Sequence, residues 1–151
     1  SNYTWKLGGS SSWDNVTAQM FYERERGTEV YEGRPTEWTG SIALMYPSDY
    51  GFSTSGGSTT NRSSCLAKEI YIWNSVEDCY TNSWLYDSSN YQWTQIPLMM
   101  DSADVFNVSS GGYMSKSNAN TAKIVHPTLY LLPDVEIASG IGTSSDPYIL
   151  K

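Results

Sequence analysis

Trp93 to Leu132 reads WTQIPLMMDSADVFNVSSGGYMSKSNANTAKIVHPTLYLL, aromatic and aliphatic at both ends and polar between them. The ends have the composition of buried strands. Asp104-Val105-Phe106-Asn107-Val108 and Tyr113-Met114-Ser115 flank Ser109-Ser110-Gly111-Gly112, a hairpin signal. The rest of the interior mixes Ser, Asn, Asp, Lys, Tyr and Met with little amphipathic period. A segment framed by core residues and free inside predicts a display surface on a rigid scaffold, since loops on scaffolds carry binding. The expected ligand surface therefore spans residues 95–126. Its candidate contacts are Gln95, Leu98, Met99, Met100, Asp101, Asp104, Tyr113, Lys116, Asn118 and His126. Adjacent methionines in a polar stretch suit adaptable contact, and Tyr113 suits a rigid anchor. The alternative is that Leu98-Met99-Met100 folds back to cap the core.

Working outward, Asp14-Asn15 reads as a helix N-cap and Val16 to Arg26 as a helix stopped by Gly27. Thr28 to Tyr31 reads as a strand broken by Gly33-Arg34-Pro35. Ser41 to Tyr46 reads as a buried strand, after which Pro47 is placed to open a short helix. Residues 53–64, STSGGSTTNRSS, form a polar low-complexity loop. Leu66, Ile70 and Trp73 share one helical face. Trp84-Leu85-Tyr86 and Tyr91 to Thr94 alternate like strands, and Thr128 to Leu132 and Val135 to Ile137 look like the last ones. The sum is an α+β fold, one domain over residues 1–151, with two short helices early and antiparallel strands late. Its expected core is Trp38, Met45, Trp73, Trp84, Trp93, Leu129 and Leu131.

At 151 residues the chain can bury a sizeable core. Twelve Tyr and six Trp stand against three Phe. Tyr and Trp carry a polar handle suited to half-wet surfaces, although strands alone also favour Tyr. A net charge of −7 with sparse Lys and Arg argues against nucleic acid and against anionic membrane surfaces. Low charge with abundant Ser, Thr, Asn, Gly and Tyr is a secreted composition. Cys65 and Cys79 are the only cysteines and suit a local clip in an oxidising compartment; the rival reading is two free thiols of a cytosolic protein. The chain opens on the polar Ser1-Asn2-Tyr3-Thr4 without a Met, which suggests a mature or excised part of something longer.

Catalytic readings find little to build on. His126 is the only histidine, and no Gly-x-Ser-x-Gly elbow accompanies it. Glu23, Glu25, Glu29, Glu32 and Glu37 cluster in sequence, which reads as an exposed acidic face rather than a glycosidase pair. Gly140-Ile141-Gly142 lacks the third glycine and the strand–helix setting of a dinucleotide site. No Cys-x-x-Cys is present, and Glu77-Asp78, Asp87, Asp101 and Asp104 lack EF-hand spacing. The expectation is no enzyme, no cofactor and no metal.

Several blocks together carry a resemblance. They are Glu25-Arg26-Gly27, Thr36-Glu37-Trp38-Thr39-Gly40, Leu44-Met45-Tyr46-Pro47-Ser48-Asp49-Tyr50-Gly51, Cys65-Leu66 with Cys79, and Trp93-Thr94. Pro127-Thr128-Leu129-Tyr130-Leu131 and Ser139-Gly140 with Gly142-Thr143-Ser144-Ser145-Asp146-Pro147-Tyr148 complete the set. The chain resembles the C-terminal region of surface and pilin-like proteins of gut bacteria over nearly its whole length. Its layout also looks like C-type-lectin-like domains, including the formylglycine-generating-enzyme-like branch. The strand entering Pro47-Ser48-Asp49 is similar to the strand-to-helix step of that branch. The resemblance implies an extracellular module, often behind a prepilin-type or other N-terminal anchor, with a twisted antiparallel sheet and much loop. In the binding members, including variable proteins of diversity-generating retroelements, the stretch before the last strands is the ligand surface; here that is Gln95 to His126. Gln95-Ile96-Pro97 and His126-Pro127 stand where the group has Ser-Pro after Trp-Thr and Arg before the later Pro, departures compatible with diversification. The implied function is adhesion to a protein or glycan on another cell or host surface. The alternative is a pilin-like subunit whose surface meets neighbouring subunits.

Overall fold

The computed structural model describes residues 2–143 and 145–151. Ser1 of the polar opening and Ser144 of the glycine-rich tail, both part of the sequence reading, lie outside the described residues. The fold is α+β, with short helices set around several small sheets.

The central sheet has four strands in the order β6-β5-β4-β7: β4 (Gln92–Pro97), β5 (Asp104–Val108), β6 (Met114–Asn118) and β7 (Ile124–Val125). β5 and β6 form the expected hairpin, with Asp104 opposite Asn118 and Val108 opposite Met114. Gly112 turns it with φ of 78°, and a Cβ there would strike the Tyr80 ring, so glycine is needed at this position. β7 runs parallel to β4, which makes the sheet mixed rather than wholly antiparallel. Phe106, Val108, Met114 and Ile96 bury one face of it.

Register decides which aromatics enter the core. On β4 the buried positions are Gln92, Thr94 and Ile96, because side chains alternate along a strand. The polar two find partners inside: Gln92 Nε2 donates to the Leu85 carbonyl at 3.0 Å, its buried Oε1 accepting from no protein group, and Thr94 Oγ1 donates to the Phe106 carbonyl at 2.8 Å. Trp93 therefore falls on the other face, half-buried beneath the Lys123 ammonium at 5.1 Å. Four other expected core residues are also exposed: Trp38, Trp84, Leu129 and Leu131. Trp38 lies on β2 (Glu37–Gly40), paired with β1 (Tyr3–Lys6), and its indole lies over Gly40 where a Cβ would collide with it. The tryptophan that this pair buries is Trp5, donating from Nε1 to the Gly40 carbonyl at 2.9 Å. Leu129 and Leu131 lie past β8 (Pro127–Thr128), whose two residues pair with β3 (Ala43–Leu44), and follow no longer strand into the core. Met45 and Trp73 are buried as expected.

Four α-helices, rather than two, occur among the described residues. α1 (Ala18–Glu25) starts later than expected, with Thr17 as N-cap accepting from the Met20 amide, not Asp14-Asn15. The Val16 carbonyl is taken by the Ile70 amide at 3.0 Å, which keeps Val16 outside the helix. α1 buries Ala18, Phe21 and Glu25 on one face, and Phe21 meets Phe106 edge-to-face at 5.2 Å. α2 (Pro47–Phe52) opens on Pro47 as expected, and Asp49 Oδ2 accepts from the Tyr46 amide at 2.8 Å. The two helices are joined by Glu25, whose fully buried carboxylate accepts from the Ser48 amide at 2.7 Å and its hydroxyl at 2.5 Å.

The polar stretch 53–64 is part helix: α3 (Arg62–Leu66) is capped by Asn61, accepting from the Ser64 amide at 2.9 Å. Leu66, Ile70 and Trp73 do not share one helix. α3 ends at Leu66, Glu69 is extended, and Ile70–Ser75 form a 3-10 helix that buries Ile70 and Trp73. Thr28–Tyr31 and Trp84–Tyr86 are not strands; the first is loop whose Glu29 carbonyl holds the Gly9 amide, and the second a turn closed by Tyr86 N–H to the Ser83 carbonyl. The C-terminal arm ends in a separate pair, β9 (Ile137–Ser139) with β10 (Ile149–Leu150).

Cys65 and Cys79 are disulfide-bonded across 14 residues with Cα atoms 5.4 Å apart, tying α3 to α4 (Glu77–Thr81). Both sulfurs are fully buried. Constraining a loop of this length contributes about 3 kcal/mol by chain entropy. Thermal unfolding with and without dithiothreitol should show a clear loss of stability on reduction. Equal melting would mean that the bridge constrains nothing the packing does not already hold. Among the described residues no helix is long and apolar enough to cross a membrane.

Candidate functional site

The ten residues expected to form one ligand surface separate: Leu98 enters the core, six line three different hollows, and Met99, Met100 and Lys116 line none of these. Leu98 belongs to the core at 5% exposure; its amide donates to the Asp104 carbonyl, and it bridges to Ser10. The chain thus folds back at Leu98, the alternative that the sequence left open. Met99 follows it, half-buried, with its Cβ against Gly9. Met100 points to solvent at 68% exposure. The segment 95–126 is therefore no free loop: it supplies three strands of the central sheet, and its display capacity is confined to turns and strand ends.

Gln95, Asp101, Asp104 and Asn118 do converge. They line a cleft of about 470 Å³ between the open end of the β5–β6 hairpin and the loop carrying Tyr31, Arg34 and Pro35. The geometry follows from local chemistry. Asp101 Oδ1 accepts from the Ala103 amide at 2.8 Å and the Asp104 amide at 3.2 Å, closing the turn that enters β5. Asp104 is held by the Lys116 ammonium at 2.6 Å across the hairpin. Asn118 sits opposite Asp104, its side chain accepting from the Asn120 amide at 3.1 Å and so shaping the exit from β6. Arg34 reaches across and donates to the Ser102 carbonyl. Gln95 Nε2 donates to Tyr46 Oη at 3.2 Å, and its buried Oε1 has no protein donor.

The chemistry of this cleft is that of hydrogen bonding. It offers guanidinium and amide donors from Arg34, Asn118 and Asn120, and acceptors from the Asp101 carboxylate, over an apolar floor that includes Leu7 and Pro97. Binding sites commonly combine an apolar lining with a few placed polar groups. Arg34 and Tyr31 were missed from sequence. The available signal was the Gly33-Arg34-Pro35 break, whose Gly33 has φ of 80° and turns the loop towards the hairpin.

Tyr113 lies elsewhere, with Trp13 and Tyr71 in a hollow of about 490 Å³. Tyr71 meets Trp13 at 4.5 Å and Tyr113 at 6.2 Å, both edge-to-face. His126 lines a third cleft together with Asp49 and Trp84. Among the described residues no three His, Cys, Asp or Glu side chains are grouped to hold a metal ion. No protein-family model, curated protein or solved structure matches this chain.

Proposed function

We propose that this chain is an extracellular recognition module of C-type-lectin-like architecture that binds a protein or glycan ligand of a cell or host surface. Its role is binding, not catalysis. The observation that carries the reading is the convergence of Gln95, Asp101, Asp104 and Asn118 with Arg34 on one cleft at the open end of the hairpin. The short helices beside a small mixed sheet and the extensive loop are consistent with such an architecture. A buried disulfide fits an oxidising compartment, and a net charge of −7 disfavours nucleic acid as partner.

Asn118→Ala combined with Ala119→Arg should fill and unpair the cleft from two exposed positions. Surface substitutions of this kind usually stay within about 0.5 kcal/mol of the parent in stability. The expected outcome is an unchanged melting temperature with loss of the partners captured in pull-downs from cell-surface extracts. Unchanged binding by the double variant would remove the cleft from the function.

One observation favours the second reading, a pilin-like subunit of a surface assembly. Leu131, Leu132, Ile137, Ile141, Tyr148 and Ile149 are all more than half exposed along the C-terminal arm. So many exposed apolar side chains on one arm are consistent with protein contact, and an isolated two-stranded pair such as β9–β10 is marginal by itself in water. Sedimentation at rising concentration separates the readings: self-association belongs to the subunit, a persistent monomer to the binder.

A further inference from the structure

The cleft holding His126 has a volume of about 730 Å³ and shares no residue with the hairpin cleft. One wall is Trp84, 79% exposed. Its exposure does not come from a loose loop. Ser83 before it is buried and bridges to Thr54, and the Asn82 carbonyl accepts from the Ser55 amide at 3.0 Å. Leu85 after it packs on the core, and Tyr86 Oη donates to the Ser110 carbonyl at 2.8 Å. The backbone on both sides is anchored while the indole face stays in water. Leu129 and Tyr130, each about half exposed, form part of the cleft lining with it.

Polar groups lie in the same hollow. His126 Nδ1 is buried and has no partner in the protein. Asp49 Oδ2 accepts from the Tyr46 amide, and its other oxygen accepts from no protein group among the described residues. An aromatic face beside a carboxylate acceptor matches a pyranose ring, which offers one face of C–H groups and a rim of hydroxyls. Amphipathic aromatic residues serve surfaces of this half-apolar, half-wet kind. The Asp49 carboxylate and the net charge of −7 turn away sialylated or sulfated sugars.

We propose that the Trp84 cleft is a site for a neutral hexopyranose, stacked on the Trp84 indole with a hydroxyl directed to Asp49. It is independent of the hairpin cleft and survives or fails on its own. The probe is a panel of neutral glucose-, galactose- and mannose-terminated oligosaccharides with sialylated counterparts, read by saturation-transfer NMR on the full chain. Saturation of the C–H protons of at least one neutral terminal sugar is expected, with weaker or absent signal from the sialylated forms. Trp84→Ala should weaken binding tenfold or more without moving the melting temperature, and Trp84→Tyr should retain part of it. Leu129→Arg, from another part of the lining, should block the cleft in the same way, while Asn118→Ala should leave sugar binding unchanged. No neutral sugar bound, equal affinity for Trp84→Ala, or a preference for sialylated forms would each overturn the proposal.

Discussion

Trp73→Ala should lose about 3–5 kcal/mol of stability, the range for truncating a large buried aromatic. Set against a total of about 5–15 kcal/mol for a domain, such a loss threatens folding at physiological temperature. Trp73 is fully buried on the 3-10 helix, and its ring lies 5.6 Å from that of Tyr50. Tyr50 in turn donates from Oη to the Gly112 carbonyl at 2.8 Å, so the stack connects the 3-10 helix through α2 to the hairpin turn. Removing the indole empties the junction of three elements. Urea midpoints of Trp73→Ala, Trp93→Ala and Trp84→Ala should fall in that order of severity, with Trp84→Ala close to the parent. A Trp73→Ala midpoint equal to that of Trp84→Ala would contradict the packing described.

Glu25 should make the protein less stable as pH rises from about 4.5 to 7. Burial pushes its carboxyl up from the ordinary 4.5 to about 7, against the opposing hydrogen bonds from Ser48 and the Arg26 guanidinium at 3.1 Å. The folded state therefore holds this proton more tightly than the unfolded chain does. The stability it confers is full below pH 4.5 and is lost as pH climbs through 7. At about 1.4 kcal/mol per tenfold difference in proton affinity, the change across that window is about 3 kcal/mol. Asp78 and Asp87 act in the opposite sense at lower pH. Hydrogen bonds from Thr59 and Thr60 to Asp78, and from Ser89 and Asn90 to Asp87, hold both carboxyls below the usual range, and that contribution disappears on acidification. Glu25→Gln should flatten the slope between pH 4.5 and 7. Glu25→Ala should flatten it too, and should cost about 1–3 kcal/mol more by leaving the buried Ser48 amide without an acceptor. Denaturant titrations of the three proteins at several pH values measure both effects; a Glu25→Gln profile parallel to the parent would remove Glu25 as their source.

The sequence by itself determined what depends on neighbours along the chain. The hairpin around Ser109-Ser110-Gly111-Gly112, the helix opened by Pro47, and the α1 helix ending before Gly27 all rest on backbone preferences read within a few residues. The Cys65–Cys79 bridge was legible because no other cysteine competes. The α+β class followed from the same local signals. The tertiary structure alone decided which of several similar side chains went inside. Trp5, Trp38, Trp84 and Trp93 all sit in aromatic or aliphatic surroundings, yet only Trp5 is buried: strand parity on β4 turns Trp93 away from the core, while Trp38, opposite Trp5 on the same face, and Trp84, in a turn, stay outside because no distant segment packs over them. Glu25 read as one member of an exposed acidic face. It is buried because Ser48, far along the chain, brings an amide and a hydroxyl to it. The candidate site divided for the same reason. Gln95, Asp101, Asp104 and Asn118 meet because antiparallel pairing returns β6 alongside β5, while Tyr113 at the hairpin's other end is carried away from them. Arg34 joins that cleft through space, a contact no local pattern encodes.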